Sequence, residues 1–288
     1  MPSLKDVSDK IVGVKKTSQI TKAMNMVSAA KLRGAQQKME DFHPYAGKFN
    51  DTMASLSGAS GDYPLMEVRD VKTAEIVVVT SDRGLCGSFN ANIMKMAEKK
   101  IAEYEAAGVK VSLVCVGKKG NQSLKKTGKV RTAHLDIMGN FQMFNAREIA
   151  QDIAANFESG GADEVTIMYG HFKSVGVQVP TAIHLLPVKA TEEPGDEEQA
   201  TSGDYIYEPS QEEIMEVLLP LYMNVMIYNT MLQVGASEQA ARMTAMDNAT
   251  NACSDIVDEL TSIFNKARQA SITGDLMDIV GGAEALKG

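Results

Sequence analysis

From Ser210 to about Glu284, apolar or small residues return in alternating steps of three and four: Ile214, Leu218, Leu221, Val225, Tyr228 and Leu232, then Met246, Ala249, Cys253, Ile256, Leu260, Ile263, Ala267 and Ala270. A seven-residue stripe of this kind marks a helix supercoiled on another helix. At 1.5 Å per residue the helix is roughly 110 Å long, against ~11 or 12 residues for an ordinary globular helix. A chain of 288 residues cannot enclose such a rod in one compact core, so much of it must project, and projection suggests a partner. Its start is marked by Pro209 and by Ser210-x-x-Glu213, which has the form of a capping box. Pro220 removes a helical hydrogen bond, so a kink or a short leading helix is expected there. Gly235 and Gly274 each cost about 1 kcal/mol relative to alanine.

At Gly235, Gln239 and Arg242 the stripe fails, because positions that should be apolar are small, polar and charged. Two readings stand open: a tolerated flaw of a long coil, or a segment that leaves the coil and meets something else. A second stripe runs from Ser3 to about Ser57 through Leu4, Val7, Ile11, Val14, Leu32, Ala35, Met39, Phe42, Ala46, Phe49, Met53 and Leu56. It too has a polar gap, at Ser18, Thr21, Asn25 and Ser28, and Pro44 is expected to bend it. Lys10, Lys15, Lys16, Lys22, Lys31, Arg33 and Lys38 fall in a stretch without a single acid, whereas acids predominate beyond Ser210. Matching heptads with opposite charge predict that the two helices pair, antiparallel given the domain between them.

Between the helices, short apolar runs at Ile76 to Thr80, Val111 to Val116, Val165 to Tyr169 and Ile183 to Val188 read as strands. They alternate with helical stretches at about Asn92 to Ala107, Lys118 to Thr127 and Asn145 to Phe157, which implies an open, mainly parallel sheet. The expected organisation is a helix over 1–58, an α/β domain over 70–190, an acidic linker over 191–209 and a helix over 210–288.

A net charge of -8 disfavours a general nucleic-acid binder. No run of eighteen apolar residues predicts a membrane span, and the first residues lack a secretory core. Cys86, Cys115 and Cys253 are an odd number without C-x-x-C spacing, which suits a reducing compartment. His43, His134, His171 and His184 have no metal-ligand spacing. The turn Ser81-Asp82-Arg83-Gly84-Leu85-Cys86-Gly87-Ser88 follows a strand and precedes a helix, so its N–H groups could cradle a phosphate. It meets neither nucleotide fingerprint, and a tight turn displaying Arg83 is the competing reading. No metal, cofactor or catalytic constellation is expected.

Four stretches resemble the gamma subunit of the F-type ATP synthase: Ile20 to Val27, Ser81 to Gly87, Ser237 to Met246, and Asn265 to Thr273. The likeness covers both helices and the middle sheet. The sequence departs from the family near its end, where Gly274-Asp275 stands in place of the usual acidic pattern; Asp275 keeps the charge on a shorter arm. The paired-cysteine insertion of chloroplast members is absent, so thiol switching of that kind is not expected, and a bacterial source is.

The resemblance implies a fold, a long antiparallel coiled coil of the terminal helices plus a small Rossmann-like open parallel sheet. It also implies a role as a rotating shaft inside a ring of three alpha and three beta subunits, with the sheet domain beside epsilon and the membrane c-ring. Catalytic residues would belong to beta. Contacts with the ring are expected at Lys22, Met24, Arg242, Arg268, Gln269 and Thr273, and a turn of the foot domain at Arg83, Gly84, Cys86 and Gly87. The expected location is the cytoplasmic face of the bacterial plasma membrane, held there only through the complex. A coiled-coil scaffold without rotary function is the alternative.

Overall fold

The structure is a computed structural model that describes residues 4–55, 63–188 and 210–286. Its elements in chain order are α1 (Leu4–Ser55), a 3-10 turn (Pro64–Met66), β1 (Thr73–Val79), α2 (Phe89–Ala106) and β2 (Lys110–Val116). There follow α3 (Lys118–Leu124) with a further 3-10 turn, β3 (Val130–His134), α4 (Met143–Glu158), β4 (Glu164–Ser174), β5 (Val177–Leu186) and α5 (Gln211–Ala285). The expected acidic linker over 191–209 lies outside the described residues. By proximity the chain forms two compact units, Met1–Ser28 with Met243–Gly288, and Ala29–Arg242.

Within the larger unit the strands form one sheet in the order β3-β2-β1-β4-β5. The first four are parallel and β5 runs antiparallel to β4. Val175-Gly176 closes a two-residue hairpin between Ser174 and Val177, which forces that direction. β5 therefore begins earlier than the apolar run Ile183 to Val188 indicates. β3 was not expected at all. Ile76 to Val79 of β1, Leu113 to Val116 of β2 and Val165 to Tyr169 of β4 are buried, as parallel strands covered by helices require. α2 contributes Phe89, Ile93, Ala97 and Ile101 at steps of four, and α4 contributes Ala146, Ile149, Ala150, Ile153 and Phe157. At Gly170 on β4 an added Cβ would lie 2.3 Å from the Phe89 ring, so only glycine lets α2 lie this close.

Buried Glu75 on β1 is held by Arg131 Nε at 2.7 Å, Asn156 Nδ2 at 3.0 Å and Ser112 Oγ at 3.2 Å. Arg131 in turn grips Asp152 with two bonds of 2.9 and 2.8 Å, tying three strands to α4. The helical residues of this unit join the same core: Ala46, Phe49 and Met53 from α1, and Met215, Leu219, Met223, Val225, Ile227, Met231 and Val234 from α5. Phe42 meets Tyr228 edge-on at 4.9 Å and Phe49 stacks on Tyr222 at 6.4 Å, an antiparallel pairing. By length and apolar content α5 also qualifies as a membrane crossing, contrary to the expectation of none. The apolar side chains from Met215 to Val234 are instead spent in this core.

In the smaller unit the same pairing continues through the polar gap of α1. The Thr21 and Thr250 hydroxyls bond at 2.7 Å, and Asn25 Nδ2 donates to the Met243 carbonyl at 3.1 Å. Every expected stripe position of α1 from Leu4 to Met53 is buried or half-buried. On α5 the stripe is shifted at alternate contacts. Ile256 and Ile263 are 44% and 43% exposed, and the half-buried residues are their neighbours Val257 and Phe264. None of the basic residues from Lys10 to Lys38 forms an ion pair among the described residues, and the contacts seen between the helices are apolar, hydroxyl and amide ones.

Neither proline ends its helix: α1 runs through Pro44 and α5 through Pro220, and no separate leading helix forms. Both prolines are exposed, so the carbonyls they leave unpaired face water. Ser210 Oγ accepts the Glu213 N–H at 3.2 Å, the hydroxyl half of the expected box.

Candidate subunit interface

The Ser81 to Ser88 turn leaves the carboxyl end of β1 beside β4, where the strand order of the sheet reverses. In open α/β sheets that crevice is where ligands bind. Here the turn is closed by its own chain. Ser81 N–H donates to Asn90 Oδ1 at 3.0 Å, Asn90 Nδ2 donates to Ser81 Oγ at 2.7 Å, and Ser81 Oγ donates to the Arg83 carbonyl at 2.6 Å. The Asp82 carboxylate accepts three backbone N–H groups, from Lys118 at 2.9 Å, Asp136 at 3.0 Å and Met138 at 2.9 Å. It thereby stitches together the segments that follow β1, β2 and β3. Leu85 is held at φ 63°, a left-handed conformation, with its side chain 63% exposed, and Arg83 is exposed too.

Arg242 of α5 reaches this turn. Its Nε and Nη2 donate to the Gly84 carbonyl at 3.2 and 3.1 Å, and Nη2 donates to the Arg83 carbonyl at 3.3 Å. One helical turn earlier, Glu238 accepts Nη2 at 2.6 Å. Both side chains are buried, and desolvation pushes the Glu238 carboxyl up against the opposing pull of Arg242. Desolvation likewise raises the Cys86 thiol, with Arg242 acting the other way. All three cysteines are free and buried. The gap in the α5 stripe is thus where that helix meets the sheet unit: Arg242 and Glu238 face the turn, and Gly235 lies against Phe141.

The expected contact residues divide. Arg242 and the turn at Arg83 and Gly84, expected as separate features, are brought together. Cys86 lies beneath the turn and Gly87, at φ 59°, is exposed. Lys22, Arg268 and Gln269 are exposed and Met24 is half-buried; exposed Thr273 donates its hydroxyl back to the Gln269 carbonyl at 2.9 Å. Glu238, Asp82 and Asn90 were not singled out by sequence reasoning. The i, i+4 pairing of Glu238 with Arg242 inside an apolar stripe was the available signal. From Arg268 to Ala285 every residue of α5 is exposed, including Ile272, Leu276, Met277, Ile279 and Val280. Among the described residues no cluster of His, Cys, Asp and Glu could hold a metal ion.

These features define a class: a protein with long, antiparallel-paired N- and C-terminal helices, an α/β sheet between them in the sequence, and exposed apolar side chains at the end of the last helix. The family model described as ATP synthase matches residues 3–286. The chain is 65% identical to the ATP synthase gamma chain of Desulfotalea psychrophila and 53% identical to that of Nitratidesulfovibrio vulgaris, each alignment covering 100% of both chains. The chain belongs to the ATP synthase gamma chain family. Its fold is similar to a chain in the central stalk and c-ring structure of the Tetrahymena thermophila mitochondrial ATP synthase, with a TM-score of 0.61 at 28% identity, over 80% of this chain and 99% of that one. A chain of the Euglena gracilis F1 and c-ring assembly gives a TM-score of 0.72 at 20% identity, over 98% and 94%, a likeness of fold.

Proposed function

We infer that this chain is the rotating central shaft of an ATP synthase, coupling proton flow through the membrane sector to conformational cycling of catalytic sites carried by other subunits. The observation that carries this reading is the end of α5. A helix whose apolar side chains Ile272, Leu276, Met277, Ile279 and Val280 are all exposed needs a sleeve, and the chain has full-length similarity to an ATP synthase gamma chain. The alpha and beta subunits form that sleeve, and the sheet unit meets epsilon and the c-ring. The chain supplies no catalytic residues, since beta carries the chemistry. It sits at the cytoplasmic face of the bacterial plasma membrane and is held there through the complex.

Lys22, Met24, Arg268, Gln269 and Thr273 make contacts with the ring that change with rotational state. Their exposure or partial exposure supports this role, whereas Arg242 is engaged within the chain. The test is reconstitution with alpha and beta subunits from the same source, with ATP hydrolysis and proton-driven synthesis as readouts. Alanine at all five positions is expected to lower synthesis more than assembly; unchanged coupling would remove these residues from the mechanism. A chain that does not join the ring would leave the scaffold reading in place.

A further inference from the structure

We propose that Glu238, Arg242 and the Ser81 to Cys86 turn form a torsional latch that fixes α5 to the sheet unit, making Arg242 a positioning residue for torque transfer. The inference rests on the shaft reading above. Apolar packing between a helix and a sheet is non-directional, so it resists separation better than it resists a small rotation of the helix about its axis. Charge-assisted hydrogen bonds are directional, and a guanidinium at the end of a long side chain applies them away from the helix axis. The structure has this arrangement at Arg242 of α5, with an accessory tie at Gln233. Gln233 Oε1 accepts the Phe172 N–H of β4 at 3.1 Å, and nine residues on Arg242 holds two carbonyls of the turn.

The turn is a suitable anchor because it cannot move alone. Asp82 joins it to the segments after β2 and β3, and Ser81 and Asn90 join it to the start of α2. Glu238 pins the Arg242 fork from the same helix, so the cation cannot swing away without leaving a buried carboxylate unpaired. Arg242 is also the last residue of α5 within this unit. Load passing along α5 therefore meets the latch at the unit's boundary.

The test uses the complete reconstituted complex with the ring immobilised and a bead on a cysteine placed at exposed Lys99 of α2. Torsional stiffness is read from the bead's angular fluctuation during a catalytic pause. In Arg242→Gln the angular variance should roughly double, since the charge-assisted, directional tie is lost. ATP hydrolysis without load should stay within about twofold, and ATP synthesis should fall further than hydrolysis. Arg242→Lys, a single donor in place of a fork, should fall between the two. Glu238→Gln, which keeps shape and removes the charge partner, should also raise the variance. Unchanged variance in an assembled Arg242→Gln complex would overturn the latch, as would failure of both Arg242→Gln and Glu238→Gln to assemble, which would make the pair a folding element only. A wild-type complex that does not rotate would instead overturn the shaft reading.

Discussion

Replacing Asp82 by alanine removes the carboxylate that accepts N–H groups from Lys118, Asp136 and Met138 at 2.9 to 3.0 Å. A hydrogen bond to a charged group contributes about 1.5 to 3 kcal/mol to stability. Three would contribute more than twice that, but Asp82 is half-buried and water reaches part of the site once the carboxylate is gone. A net loss of about 3 kcal/mol follows. For a unit of this size that corresponds to a midpoint roughly 6 to 12 °C lower. Asp82→Asn should recover part of it, because an amide oxygen at the Oδ1 position still accepts from Lys118 and Asp136, while the NH2 group then faces the Met138 N–H. The assay is thermal unfolding of the full chain followed by circular dichroism. A midpoint for Asp82→Ala within about 2 °C of wild type would refute the claim that this carboxylate holds the three segments together.

Gly117→Ala should be worse, since φ there is 98° and the new Cβ would lie 2.1 Å from the Thr80 carbonyl; a loss above about 3 kcal/mol, or insoluble protein on expression, is expected. Val257→Asp should lower the unfolding midpoint more than Ile256→Asp, by about 1 to 2 kcal/mol in stability, because only Val257 faces the partner helix; equal effects would contradict the observed seam. The three buried thiols should react slowly with a thiol reagent at pH 8 and quickly in denaturant, because burial pushes Cys115 up to about 11 and Cys86 in the same direction. Burial holds the His134 imidazole below its ordinary value, so the unfolded chain takes up the proton first as pH falls; stability should drop on the acid side of about pH 6.5, and less so in His134→Gln.

The heptad stripe of α1 could be read directly, and where it offered neighbours, at Ile11-Val12, the stripe position Ile11 is the half-buried one and Val12 is exposed. On α5 the sequence offers two neighbouring apolar residues at Ile256-Val257 and again at Ile263-Phe264, and periodicity alone cannot choose between faces one residue apart. The fully buried strands stood out as apolar runs. β3 did not, since Val130-Arg131-Thr132-Ala133-His134 is a sheet edge with alternate positions in water and one arginine committed to Glu75. β5 was placed by its apolar end and not by the Val175-Gly176 turn that sets its start. The polar gaps were visible as gaps, but their partners were not. Thr21 finds Thr250, and Arg242 finds carbonyls 158 and 159 residues away, pairings that no local pattern encodes. Pro44 and Pro220 interrupt neither helix, each standing at a position turned to solvent.

Rotation tests the central claim most directly. With alpha and beta subunits from the same source fixed to a surface and a bead on α2 of this chain, ATP should drive stepwise turning in one direction, with pauses at three angles set by the three catalytic sites of the ring. A bead that only fluctuates about one angle, while the assembled complex hydrolyses ATP at its full rate, would contradict the account, because the chain would then fill the ring without being turned by it.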